Sequence, residues 1–281
     1  MEYRLGLYEK AMPNPLSLAE KLKATKAAGF DYMEISIDES EEKQARLLWS
    51  RDERDQLRKE MLAAGCSIDT LCLSGHRKWP LGSKNEALRH YGQRMFRLAV
   101  DLASDLGIRL IQLAGYDVYY DAGDDETNRL FLQGLQEGMS YAAMKGVCCG
   151  FETMETPFMD TVEKAMAVVR QINSSYLGIY PDLGNLTNAA KKYGTDVLAD
   201  IAKGKGHLFS MHLKETRPGV YRDMKFGTGE VDFVAGIQTA LSQGVRCFVS
   251  ECWYDGQACW MDEIAEVNRF MHQKFEAAVV A

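Results

Sequence analysis

The sequence has no excess of positive charge. Its 33 Lys and Arg stand against 40 Asp and Glu, a formal net charge of −7 over 281 residues. A protein that takes its affinity from phosphate backbones needs a Lys/Arg-rich face, so no nucleic-acid partner is expected. Long apolar runs are missing too. No stretch approaches the roughly 18 uninterrupted apolar residues of a membrane helix, so no membrane partner is expected. The N-terminus, Met1-Glu2-Tyr3-Arg4-Leu5-Gly6, has no basic segment followed by an apolar one, which makes the cytoplasm the expected compartment. With 6 prolines and 24 glycines, a fibrous or disordered chain is excluded. The 7 cysteines (Cys66, Cys72, Cys148, Cys149, Cys247, Cys252 and Cys259) are odd in number and contain no C-x-x-C pair. They read as reduced thiols in apolar runs, not as a disulfide framework or a zinc knuckle.

What is present is an alternation of short apolar runs with longer helical patterns. Strands are expected at 5–8, 32–37, 67–73, 108–113, 147–152, 176–182, 208–212 and 247–251. Helices are expected between them at 18–28, 51–64, 86–106, 126–145, 160–173, 195–203, 233–242 and 262–277. Gly29, Gly65, Gly107, Gly146 and Gly244 each stand between helix and strand, where a C-cap needs them. Eight βα units without a linker imply one α/β domain over 1–281, a single (β/α)8 TIM barrel. The open doubly wound sheet is disfavoured because Leu7-Tyr8-Glu9-Lys10-Ala11 carries no Gly-rich fingerprint after the first strand.

In such a barrel the C-terminal ends of the strands share one mouth, and chemistry happens there. Four consecutive expected strands end in Glu152, Asp182, His212 and Glu251, separated by 30, 30 and 39 residues, each about one βα unit. Three carboxylates brought together would repel and raise one another's pKa unless a cation intervened. One divalent metal ion removes the conflict, and three oxygens with one nitrogen suit Mn, Mg, Co or Zn.

These residues carry a resemblance. The Glu, Asp, His, Glu pattern resembles the metal signature of the ketose 3-epimerases in the xylose-isomerase-like barrel superfamily. His212-Leu213-Lys214-Glu215 and Gly227-Thr228-Gly229-Glu230-Val231-Asp232-Phe233 are similar to its H-x-K-[DE] and G-x-G-x-[VI]-D-F motifs. Longer strings narrow the match: Leu5-Gly6-Leu7-Tyr8-Glu9-Lys10-Ala11, Leu71-Cys72-Leu73-Ser74-Gly75-His76-Arg77, Trp79-Pro80-Leu81-Gly82-Ser83, the stretch from Ile111 to Tyr120, and Tyr180-Pro181-Asp182-Leu183-Gly184-Asn185-Leu186. Over essentially the whole chain they resemble the L-ribulose-5-phosphate 3-epimerase family, also known as L-xylulose-5-phosphate 3-epimerases or hexulose-6-phosphate isomerases.

The resemblance implies an isomerase that interconverts L-xylulose 5-phosphate and L-ribulose 5-phosphate through a cis-enediolate held by the metal, in pentose or L-ascorbate-type catabolism. Inversion at C3 needs a proton removed from one face and another returned to the opposite face. Glu152 and Glu251 are the expected acid/base pair, and Asp182 and His212 are ligands only, the imidazole oriented by a partner that the sequence does not identify. A sugar phosphate as small-molecule partner calls for cationic donors, for which His76, Arg77, Lys214, Arg217 and Lys225 are candidates, with Lys214 better suited to a sugar oxygen. Asn185 is a further substrate candidate, and it departs from the related free-sugar epimerases, which carry a His three residues after the Asp. The fold family makes a homodimer plausible.

Glu155 fits either a substrate contact or a solvent-facing loop. Asp38-Glu39-Ser40-Glu41-Glu42-Lys43 reads as a charged, solvent-facing loop or part of a lid. Tyr116, Tyr119, Tyr120, Trp79 and Trp253 follow strand ends and could wall a sugar pocket, while His90, His207 and His272 read as solvated or capping residues. The competing functions are a ketose 3-epimerase acting on free sugars, a ketose/aldose isomerase, a DNA-repair endonuclease of the same superfamily and a non-catalytic sugar-phosphate binder. The endonuclease reading wants more His ligands and a basic groove, and this chain has 5 His and a charge of −7.

Overall fold

The computed structural model describes residues 2–280. Eight parallel strands form its sheet: β1 (Arg4–Tyr8), β2 (Tyr32–Ser36), β3 (Ser67–Leu73), β4 (Leu110–Ala114), β5 (Cys148–Glu152), β6 (Leu177–Ile179), β7 (Met211–Leu213) and β8 (Cys247–Ser250). Their order, β6-β5-β4-β3-β2-β1-β8-β7, leaves β6 and β7 at the two ends. Parallel bridges from Ile179 to Leu208 and from Asp182 to His212 join those ends, so the sheet closes on itself as a (β/α)8 barrel.

Among the described residues, ten α-helices surround it: α1 (Leu18–Ala27), α2 (Glu41–Ala45), α3 (Arg51–Ala64), α4 (Glu86–Leu106), α5 (Asp125–Lys145), α6 (Val162–Ile172), α7 (Leu183–Tyr193), α8 (Val197–Ala202), α9 (Phe233–Ser242) and α10 (Trp260–Val280). Capping boxes at Ser17/Glu20 and Ser50/Glu53 start α1 and α3. The five glycines expected at helix ends all have positive φ, from 60° at Gly65 to 95° at Gly29 and Gly244. Among the described residues, no helix is long and apolar enough to cross a membrane.

Side-chain alternation divides the apolar residues into two layers. Met33, Ile35, Leu71, Leu73, Phe151, Met211 and Leu213 point outward and pack under the helices. Tyr8, Tyr32, Cys72, Leu110, Tyr180 and Val249 form a smaller cluster inside the barrel. Gly6 makes room for it, since a Cβ there would lie 2.5 Å from the Tyr32 ring. The inward set on β2 is therefore Tyr32, Glu34 and Ser36, and the same alternation turns Glu152 and His212 inward.

Two expectations change. Asp182 lies beyond β6 and caps α7, a helix absent from the sequence-based segmentation, and Asp182 Oδ1 accepts from the Asn185 amide at 2.5 Å. The segment 38–43 is not a solvated loop throughout: Ser40 caps α2, and Lys43 is buried. Its Nζ lies 2.7 Å from Glu9, which is fully buried and also meets Arg46 and Lys21.

Candidate active site

Four inward or mouth-facing side chains converge. Glu152 ends β5, Asp182 caps α7, His212 lies within β7 and Glu251 follows β8. One ligand atom from each lies within 4.8 Å of all the others, and all four residues are buried. His212 Nδ1 is 3.3 Å from Glu251 Oε2 and 3.6 Å from Glu152 Oε1. Asp182 Oδ2, His212 Nδ1 and Glu251 Oε2 are buried and make no well-aligned hydrogen bond, the two carboxylate oxygens meeting the Lys214 ammonium. One ammonium among three buried carboxylates and an imidazole leaves acceptors under-satisfied, which is costly in a protein interior. A shared cation satisfies all three, so the donor set fits a divalent ion, as a candidate buried metal site.

The electrostatics follow from burial and crowding. Burial and the neighbouring Glu251 raise the Glu152 carboxyl above its ordinary range. Asp182 is also raised, by burial first, with Lys214 opposing and Glu251 and Glu152 adding to it. Glu251 goes the other way, because Lys214 and His212 overcome its burial. Lys214 Nζ sits 3.2 Å from Glu251 Oε2 and 3.3 Å from Asp182 Oδ2, and the two carboxylates outweigh its desolvation and keep it charged.

Above this group opens a cavity of about 330 Å³ lined by Tyr8, Lys10, Asp38, Ser74, Arg77, Glu155, Asn185, Lys214, Arg222 and Trp253, among others. That is the lower end of the range for small-molecule sites. Asn185 is anchored by its Nδ2 donating to the Thr153 carbonyl at 2.7 Å, and its Oδ1 has no partner. Glu155 accepts from Tyr116 and Tyr119 hydroxyls at 2.8 and 3.2 Å, and Arg77 stacks 4.7 Å from the Tyr119 ring centre.

The structure brings together Glu152, Asp182, His212, Glu251, Lys214, Asn185 and Arg77. It places the other three substrate candidates elsewhere. His76 is buried behind the wall, with Nε2 donating to the Gly92 carbonyl at 3.1 Å and its ring edge-on to Phe96. Arg217 donates to the Thr228 carbonyl, and Lys225 pairs with Glu263 beside a separate cavity.

The family described as the xylose isomerase-like TIM barrel matches residues 22–273. The chain is 37% identical over 276 residues to the L-ribulose-5-phosphate 3-epimerase UlaE of Escherichia coli (strain SE11), covering 98% of this chain and 95% of that protein. It is 40% identical over 251 residues to the enzyme of the same name from Shigella sonnei (strain Ss046), covering 89% and 87%. The chain belongs to the xylose isomerase-like TIM barrel family, in its L-ribulose-5-phosphate 3-epimerase branch. A solved structure of L-ribulose 3-epimerase superposes with a TM-score of 0.81 over 98% of this chain and 95% of that one, at 17% identity, a likeness of fold.

In this family member three residues of the site were missed by sequence reading. Lys10, in a single 3-10 turn (Glu9–Ala11), and Arg222, in a loop, line the cavity from segments too short or irregular for periodicity to mark a direction. Glu34 lies beneath the metal candidates, fully buried, 2.7 Å from His212 Nε2. Its signal was in the sequence: a carboxylate alternating with Met33 and Ile35 in a strand buried on both faces.

Proposed function

We propose that this chain is a metal-dependent 3-epimerase interconverting L-xylulose 5-phosphate and L-ribulose 5-phosphate by proton removal and return at C3. The observation that carries the reading is the pair Glu152 and Glu251. They are both buried, they come from strands separated by two others, and His212 Nδ1 stands between them. Close relatives over nearly the full length supply the substrate class.

A carboxylate oxygen of Glu251 takes the C3 proton on one face, and the carboxyl of Glu152 returns one to the other face. The reverse reaction uses the same groups with their roles exchanged. Asp182 and His212 would hold the ion without moving a proton. A bound Mn, Mg, Co or Zn ion supplies Lewis-acid stabilisation of the charge that develops on the ketose oxygens. Lys214, fixed between Asp182 and Glu251, donates to a sugar oxygen, and Asn185 offers its free Oδ1 to a hydroxyl. The phosphate is assigned to the cationic lining of the cavity, Arg77 and Arg222, with Lys10 beside them paired to Asp38 at 2.5 Å. His76, Arg217 and Lys225 are given supporting roles in the wall and the loop. A phosphorylated sugar as substrate makes the cytoplasm the working compartment.

The test uses Glu152→Gln and Glu251→Gln. Each is expected to keep the fold and to lose exchange of the C3 hydrogen with deuterated water. Rapid epimerisation by both would overturn the roles. L-ribulose 5-phosphate, D-ribulose 5-phosphate and the free sugars, assayed side by side with several divalent metals, check the substrate. Turnover of the free sugars alone would overturn the phosphate assignment.

A further inference from the structure

An imidazole can give only one nitrogen to a metal ion, and the hydrogen bond on the other nitrogen decides which. In this barrel that decision is built below the site. Glu34 Oε1 lies 2.7 Å from His212 Nε2, and Glu34 Oε2 accepts the Tyr180 hydroxyl at 2.9 Å. The Tyr180 ring also packs edge-on against the His212 ring, with centroids 4.7 Å apart. Glu34, Tyr180 and His212 are all fully buried. On the opposite side of the imidazole, Nδ1 faces Glu152 and Glu251 and has no hydrogen-bond partner.

We propose that Glu34, itself fixed by Tyr180, is the positioning residue of the ion site, committing the His212 proton to Nε2 and the Nδ1 lone pair to the metal. A carboxylate can only accept at Nε2. An amide at position 34 could present its NH2 group there instead, which would move the ring proton to Nδ1 and block the ligand atom. Nothing in the cavity needs Glu34 for contact with the sugar, since it lies on the inner face of β2 below the mouth. The inference rests on the metal reading of the site and not on the identity of the sugar.

The experiment measures binding of Co2+ alone to metal-stripped protein by calorimetry, with the visible absorption of the cobalt site as a second readout. Glu34→Gln, Glu34→Ala and Tyr180→Phe are compared with the wild type. The two Glu34 variants are expected to bind about 10- to 100-fold more weakly, with an altered cobalt spectrum. Tyr180→Phe is expected to show a smaller loss in the same direction. At saturating metal, the sugar KM of all three is expected to stay near the wild-type value, as a positioning role requires. Tyr180→Phe, which removes a single hydroxyl, carries the test should a Glu34 variant not fold. Unchanged cobalt affinity and spectrum in the variants that fold would overturn the proposal while leaving the enzyme reading intact. Failure of the wild type to bind Co2+ would overturn the metal reading beneath it.

Discussion

The Lys214 ammonium lies 3.2 Å from Glu251 Oε2, inside the group of acids assigned to the metal. A resident cation there shares the work of holding Asp182 and Glu251 ionised, and its own pKa is raised because those carboxylates outweigh its burial. Lys214→Met keeps the length of the side chain and removes the charge. It is expected to lower kcat/KM by about 10²- to 10³-fold at saturating metal, the scale for loss of one fixed electrostatic donor. Steady-state kinetics check this, and a loss below about tenfold would make Lys214 a packing residue.

His76 is a pH-sensitive element of the fold. Burial pushes its pKa from 6.5 down to about 4, with the bond to the Gly92 carbonyl opposing only in part. The folded state therefore holds His76 neutral in a range where the unfolded chain protonates it. Its contribution to stability is complete above pH 6.5 and is lost as pH falls towards 4, by about 3 kcal/mol across that window. His76→Gln is expected to flatten this part of the stability profile, measured by urea unfolding at several pH values, and to leave the sugar KM unchanged. A rise in KM with no change in the pH slope would return His76 to the substrate.

Glu9 is a fully buried carboxylate that pairs with Lys21, Lys43 and Arg46, all buried. Its pKa lies well below the ordinary carboxylate range, because the three cations overcome desolvation. A depressed carboxylate stabilises above its unfolded pKa, so this contribution is complete well above pH 4.5 and is lost progressively as pH falls below that value. Glu9→Gln removes the buried carboxylate that all three cations contact. The expected loss of stability is about 3–5 kcal/mol by urea unfolding. A loss under about 1 kcal/mol would mean that water reaches the cluster.

Much of the barrel was legible because its signals are local. Apolar runs of strand length repeat eight times, glycine marks five of the helix ends, and their spacing puts Glu152, Asp182, His212 and Glu251 at one mouth. What escaped depended on tertiary context. The α7 segment Leu183-Gly184-Asn185-Leu186-Thr187-Asn188 has weak helix propensity, and it is helical because Asp182 caps it and most of it is buried. Lys43 reads as surface charge until Glu9, 34 residues away, is placed beside it. Glu34 was visible as an acid in an apolar strand, yet only strand pairing around the ring brings it to His212, 178 residues distant.

The phosphate assignment makes the last prediction. Arg77 is restrained on two sides, stacked on Tyr119 and 3.4 Å from the Tyr116 hydroxyl, while its buried Nε has no partner. A guanidinium held by aromatic faces with donors to spare is prepared for a bidentate anion. Arg222, over the Trp253 ring at 5.6 Å, is exposed and less restrained. Arg77→Met is therefore expected to cost a phosphorylated ketose about 10- to 100-fold in kcat/KM, mostly as a rise in KM, the scale of one charge-assisted hydrogen bond. The free ketose, which lacks the anion, is expected to change by less than about threefold, and Arg222→Met is expected to show the same selectivity with a smaller loss. The ratio of the two substrates, measured in each variant, isolates the phosphate contact from general damage to the site. Equal losses on both substrates would place Arg77 with the tyrosines and Glu155 as part of the wall.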